Sequence, residues 1–243
     1  VTGVQTCALP ISFRIIAGMR TSHILVTGLL VACAASSVHA QTPAFREPHH
    51  KQLIYSNFLR AFEVTLAPGE TLADHVHQFD VATLVIGDAT TVTTAAGQAA
   101  AAVTATAGTV VIDEYSGKPP VTISVKNTGT TPYHVIEVEN VREDGKFPTV
   151  APMQGMGVSL LKSARGFAVY ETKFAAGGAQ SQHAHEKAFL IIRVDGTVEN
   201  GGIGGEEPVK MTRPGQWIAM PAAANHYLGG PDGPARGIEI EVR

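Results

Sequence analysis

Gly177 to Gly196 reads GGAQSQHAHEKAFLIIRVDG, a period-two apolar run closed by an Asp-Gly turn, with two histidines at its entrance. A run of this kind bounded by turn residues reads as a β-strand. Side chains two apart on a strand share a face, so His183 and His185 point the same way. Downstream, Gly215 to His226 reads GQWIAMPAAANH and brings His226 from a later strand. Three imidazoles, two on one strand and one from another, make a metal site on a β scaffold.

No stretch beyond Gln41 carries a helical period over three turns, whereas strand-like runs separated by Gly, Pro, Asn and Asp recur. The fold class is therefore all-β, a sandwich or barrel. Leu53 to Leu66 reads as two β-rich pieces followed by an Ala67-Pro68-Gly69 turn, and the Ala/Thr-rich Ala95 to Ala107 as a loop with a strand fragment. An internal repeat then sets the architecture. Phe62 to His77 lies over Tyr170 to His185 at a constant offset of 108 residues, and the endings Val135-Ile136-Glu137-Val138-Glu139 and Gly237-Ile238-Glu239-Ile240-Glu241 correspond. The chain is a duplicated β unit, divided in the polar segment Asn140 to Pro152.

Gly, five residues, His-x-His, and later Gly, five residues, Pro-x-x-x-x-His resembles the two motifs of the cupin family, whose members are small jelly-roll β-barrels. Gly177 to Gly196 and Gly215 to His226 match both motifs, while Gly69, His75, His77 and Gly87 match the first again. The resemblance implies a bicupin of two tandem jelly-roll barrels: an N-terminal domain over 41–145 and a C-terminal domain over 146–243. It also implies a divalent transition metal, one of iron, zinc, nickel, copper or manganese, on His183, His185 and His226.

Members of this family commonly carry a glutamate four residues after the second histidine of the first motif. Phe189 and Val81 stand there. Glu186 and Asp80 lie nearby, but with the wrong strand parity. Three neutral ligands leave the dication uncompensated, which favours an anionic ligand. In the N-terminal unit the third histidine is expected around Ile123 or Ser124, so His75 and His77 form a weaker or vestigial metal pair and this barrel is expected to be metal-free or weakly loaded. Arg193 shares the parity of His183 and His185 and is a possible substrate contact, the alternative being a solvated side chain. Trp217 is either core or a pocket wall. His49 and His50 would face opposite ways on a strand and are expected to be solvent-exposed, as are Glu206 and Glu207; His134 is expected to be a satisfied or exposed polar residue. No inward paired carboxylate is visible. The resemblance implies a metal-dependent oxidoreductase, most often a dioxygenase; the alternative is a non-catalytic cupin binding a small ligand or a metal.

Val1 to Ile11 back-translates to a common sequencing-library adapter and 1–18 is set aside as artefact or upstream sequence. Met19 to Ala40 reads as a signal peptide: a basic start, an apolar run too short to span a bilayer, and Val38-His39-Ala40 before Gln41. The alternative is a lipoprotein anchored through Cys33, from Leu30-Val31-Ala32-Cys33. Both readings place the protein in the periplasm or outside the cell. The two cysteines, Cys7 and Cys33, precede Gln41, so no disulfide or thiolate ligand is expected beyond it. A net charge of −3 without a basic cluster argues against nucleic acid and an electrostatically held membrane surface. The expected partner is a small molecule, with a homodimer through free edge strands implied by the family resemblance.

Overall fold

The computed structural model describes residues 42–142, 146–149, 151–202 and 206–243. The readings placed on 1–18, 19–40 and Cys33 lie outside the described residues, as does the Asp144-Gly145 turn at the expected domain boundary. Ala40–Arg243 forms a single unit of contacts. Among its described residues the helical element is one short 3-10 turn, Ala44–Arg46; strands carry the rest.

The first half contains β1 (His50–Tyr55), β2 (Leu59–Leu66), β3 (Thr71–His77), β4 (Asp80–Gly87), β5 (Ala89–Ala95), β6 (Ala101–Ala105), β7 (Val110–Asp113), β8 (Val121–Asn127) and β9 (Tyr133–Asn140). They make a five-stranded sheet, β1-β2-β9-β4-β7, and a four-stranded sheet, β3-β8-β5-β6. The second half contains β10 (Ser159–Ala164), β11 (Phe167–Phe174), β12 (Gly178–Ala179), β13 (His183–Ala184), β14 (Phe189–Asp195), β15 (Val198–Gly201), β16 (Val209–Met211), β17 (Trp217–Met220), β18 (Asn225–Gly230) and β19 (Ala235–Val242). Its sheets, β10-β11-β19-β14-β17 and β12-β18-β15-β16, repeat the plan, with β13 added against β18. The fold is two tandem jelly-roll barrels, all strand pairs within them antiparallel. The segment before β1 follows a sheet edge, Pro43 bridging Val76, and β6 is the strand fragment expected between Ala95 and Ala107.

The two five-stranded sheets share one core. Leu59, Ala61, Ala82, Leu84, Ile136 and Val138 of the first half pack with Phe167, Val169, Leu190, Ile192, Ile238 and Ile240 of the second. The opposite faces line the barrels: Val64, Leu66, Val85 and Val135 in one, Phe174, Phe189, Ile191 and Leu228 in the other. These sheets are covered on both sides, so Phe189-Leu190-Ile191-Ile192 is buried throughout and is a continuous apolar run, not the period-two alternation expected. The same rule applied to β19 has a chemical consequence. Ile238 and Ile240 face the other barrel, so Glu239 and Glu241, 0% and 3% exposed, point into their own.

Polar contacts clamp the halves. Arg165 donates from Nε and Nη2 to the two carboxylate oxygens of Asp80, each at 2.8 Å, and from Nη2 to the Ser116 carbonyl. Arg236 donates to Glu171 and to the carbonyls of Ala107 and Gly108. Asp80 is therefore occupied as a fully buried anchor between the barrels.

Candidate metal centre

In the C-terminal barrel His183 and His226 are paired residues of β13 and β18, and His185 follows two positions on with the same inward parity. One donor atom from each of His183, His185, His226 and Glu239 lies within 4.8 Å of the others. Glu239 Oε2 is 2.8 Å from His185 Nε2, 3.5 Å from His226 Nε2 and 3.7 Å from His183 Nε2. All four residues are buried, at 6% exposure or less.

The surroundings fix each donor. His183 Nδ1–H donates to the Ser181 carbonyl at 2.9 Å, and His226 Nδ1–H to Asn200 Oδ1 at 3.0 Å. Both rings thus turn the Nε2 lone pair inward, and these two Nε2 atoms are buried without a hydrogen-bond partner among the described residues. His185 Nδ1 lies 3.2 Å from Glu241 Oε2. Gln180 Nε2 and Thr172 Oγ1 donate to Glu239 Oε1, at 2.9 and 3.3 Å, leaving Oε2 for the imidazoles. Burial, helped by His183 and His185, holds the pKa of His226 down to about 4, so it is neutral near pH 7. Burial also opposes protonation of His185, but Glu239 and Glu241 overcome it and raise its pKa above 6.5. Glu239 is likewise penalised by burial and nevertheless stays ionised, its pKa lowered by the imidazoles of His183 and His185 beside it.

This donor set fits a divalent transition metal: three oriented imidazoles, one carboxylate, and two buried nitrogens otherwise left unsatisfied. Glu239 and Glu241 correct the expectation that no paired inward carboxylate is present. They also remove the charge argument for an anionic ligand, since Glu239 offsets part of a dication's charge. Phe189, at the position where a glutamate was expected, stacks on His185 with centroids 3.8 Å apart. Its neighbour across the ladder is Glu241, so the carboxylates come from the adjacent central strand. Glu186 is exposed, in agreement with its parity, and Glu206 and Glu207 are exposed as expected.

Arg193 and Trp217 are placed elsewhere. Arg193 has the inward parity but lies four residues beyond Phe189, about 13 Å along the strand at ~3.3 Å per residue, and its Nε donates to the Gly196 carbonyl at 2.6 Å, bracing the turn. Trp217 pairs with Ile192 and packs on the core between the barrels.

The N-terminal barrel departs furthest from expectation. His50 is buried, and it meets His75 and His77 with one nitrogen of each within 4.8 Å. The expectation of exposure holds better for His49, which lies in the turn before β1 with its side chain 30% exposed; pairing with β2 turns His50 inward. His134 is a satisfied polar residue, bonded to Glu63 at 3.0 Å.

The jelly-roll barrels are consistent with the fold of solved cupin structures. No protein-family model matches the chain, and no curated protein sequence matches it. Solved structures do. The chain is similar to a cupin 2 conserved barrel domain protein from Leptotrichia buccalis, with TM-score 0.53 and 13% identity over 79% of this chain and 87% of that one. It is also similar to salicylate 1,2-dioxygenase from Pseudaminobacter salicylatoxidans, with TM-score 0.59 and 12% identity over 81% and 76%. A third likeness is to oxalate decarboxylase from Lactobacillus farciminis in a formate complex, with TM-score 0.56 and 14% identity over 79% and 83%. At these identities the shared property is the fold. Among the described residues no helix is long and apolar enough to cross a membrane.

Proposed function

We propose that this protein is an exported metal-binding bicupin whose C-terminal barrel holds one divalent transition metal on His183, His185, His226 and Glu239. The observation that carries this reading is the pair of buried, unpartnered Nε2 atoms of His183 and His226, both facing Glu239 Oε2. The proposed activity is that of a metal-dependent oxidoreductase, dioxygenase-like, on a small organic substrate; the fold neighbours include a salicylate 1,2-dioxygenase. A bound metal would supply Lewis acidity and, if redox-active, electron transfer. The chain's own contribution is orientation: Ser181, Asn200 and Glu241 fix the imidazoles, Gln180 and Thr172 fix Glu239, and Phe189 covers His185 from water. A second reading, a non-catalytic metal protein, draws support from this cover and from the completeness of the four-residue set. Export rests on Met19 to Ala40 and is tested by the N-terminal sequence of periplasmic material.

The deciding experiment is metal analysis of protein produced from Gln41 onward, beside His226→Ala, followed by oxygen-uptake screening of the metal-loaded form. Metal that depends on His226 together with substrate-dependent uptake supports the oxidoreductase. Metal without uptake across small phenols and carboxylic acids favours the second reading, and an unchanged metal content in His226→Ala overturns both.

A further inference from the structure

The His50 cluster repeats the three imidazoles of the C-terminal centre. His75 Nδ1–H donates to the Ala73 carbonyl at 2.7 Å, as His183 does to Ser181, two residues back in each case. His77 corresponds to His185, and its Nδ1 lies 3.7 Å from Glu139 Oε1, Glu139 corresponding in the repeat to Glu241. Glu137 corresponds to Glu239, and its Oε2 lies 3.2 Å from His50 Nε2. His50 takes the place of His226, and its outer nitrogen, Nδ1, is 3.2 Å from Glu47 Oε2, the role Asn200 has for His226. Ring centroids of His50 and His77 lie 4.9 and 4.8 Å from that of His75, and His75 Nε2 is 2.9 Å from His77 Nε2. Three buried imidazoles turned on one point, with carboxylates holding two outer or inner nitrogens, is the arrangement of a ligand set with its supporting shell.

The N-terminal centre adjoins a cavity. A cavity of about 370 Å³ in the N-terminal barrel is lined by both His77 and Glu137. Its walls combine Val81, Val85 and Val111 with the hydroxyls of Thr93, Tyr115 and Tyr133, and its lining contains no Lys or Arg. That volume suits a small organic molecule, and the absence of a cationic side chain leaves a carboxylate or phosphate without a protein partner.

We propose that the N-terminal barrel holds a second divalent transition metal on His50, His75 and His77, with Glu137 against His50, reached through this cavity by a small neutral organic ligand. The site is independent of the C-terminal centre and of its activity. The test is elemental analysis of protein reconstituted with cobalt and dialysed, as wild type, His50→Ala, His226→Ala and the double variant, each checked for its β spectrum by far-ultraviolet circular dichroism. The expected counts are near two metals per chain, one in each single variant and none in the double. His77→Gln serves if His50→Ala loses its β spectrum. One metal retained in folded His226→Ala and lost in the double variant supports the N-terminal site even if wild type also holds only one, the outcome in which the C-terminal reading alone fails. A wild-type count unchanged by His50→Ala and His77→Gln overturns the proposal. In cobalt-loaded His226→Ala, imidazole is expected to shift the visible bands without lowering the metal content; unshifted bands overturn access through the cavity.

Discussion

Ile123 stands opposite His75 in the β3–β8 ladder, the register that His226 holds opposite His183 in β13–β18. The third imidazole of the N-terminal cluster therefore arrives from another strand, as His50 of β1. Two routes to one donor position can be exchanged. In a His226→Ala background, His50→Ala is expected to abolish metal binding, and adding Ile123→His to restore it toward one metal per chain. Elemental analysis of dialysed protein checks this, and a triple variant that stays metal-free while folded removes the equivalence of the two positions.

Asn200 touches no bound group, yet it governs His226. It is 1% exposed, and its Oδ1 accepts the Nδ1–H of His226 at 3.0 Å. Losing such an orienting partner releases the ring and leaves a buried N–H unsatisfied. Asn200→Ala is expected to weaken metal binding at the C-terminal centre about 10–100-fold. Titration calorimetry with zinc in a His50→Ala background isolates that centre, and an affinity within twofold of the parent would show that the ring is held by packing alone.

The histidines of the C-terminal centre were legible because motif spacing and strand parity act on neighbours in sequence, as for His183 and His185. Glu239 was hidden because Ile238-Glu239-Ile240-Glu241 has the alternation of a strand with one wet face, whereas β19 is covered on both sides, by the first barrel and by its own barrel's interior. One signal was present: glutamates at 137 and 139 occupy the same places in the other half of the repeat. His50 required knowledge of which strand β1 pairs with, a long-range fact that local pattern does not contain. Arg193 and Trp217 had suitable chemistry, but strand length carries one past the site and sheet packing turns the other toward the first barrel.

The motif glycines differ in why they are needed. Gly69 and Gly196 both have positive φ, +84° and +66°. A Cβ on Gly69 meets nothing within 4 Å, whereas one on Gly196 falls 2.1 Å from the Pro234 carbonyl oxygen and 2.6 Å from Ala235 Cα. Gly69→Ala is thus expected to cost only the left-handed backbone, about 1–2 kcal/mol, a fall of roughly 2–8 °C in Tm. Gly196→Ala adds a backbone collision and is expected to lower Tm at least twice as far. Differential scanning calorimetry of both variants decides it, and equal shifts would mean that the β14–β15 turn relaxes freely.

Arg236, which reaches the carbonyls of Ala107 and Gly108 in the first barrel, is also held by a carboxylate of its own barrel whose charge depends on pH. Burial pulls the Glu171 carboxyl upward, but bonds from Lys173 and Arg236 overcome it and hold the pKa below the ordinary 4.5. A carboxyl depressed on folding stabilises the folded state fully above its unfolded pKa, and that contribution is lost as pH falls through the folded value. Glu171→Gln keeps the side-chain shape and removes the charge. Its expected effect is a lower Tm at pH 7, shrinking as pH falls below about 4.5, because wild-type Glu171 then loses its own charge. The measurement is Tm against pH for both proteins with the metals removed. A difference that stays constant from pH 7 to pH 3 would show that Arg236 is held by the Ala107 and Gly108 carbonyls, with no net contribution from its ion pair.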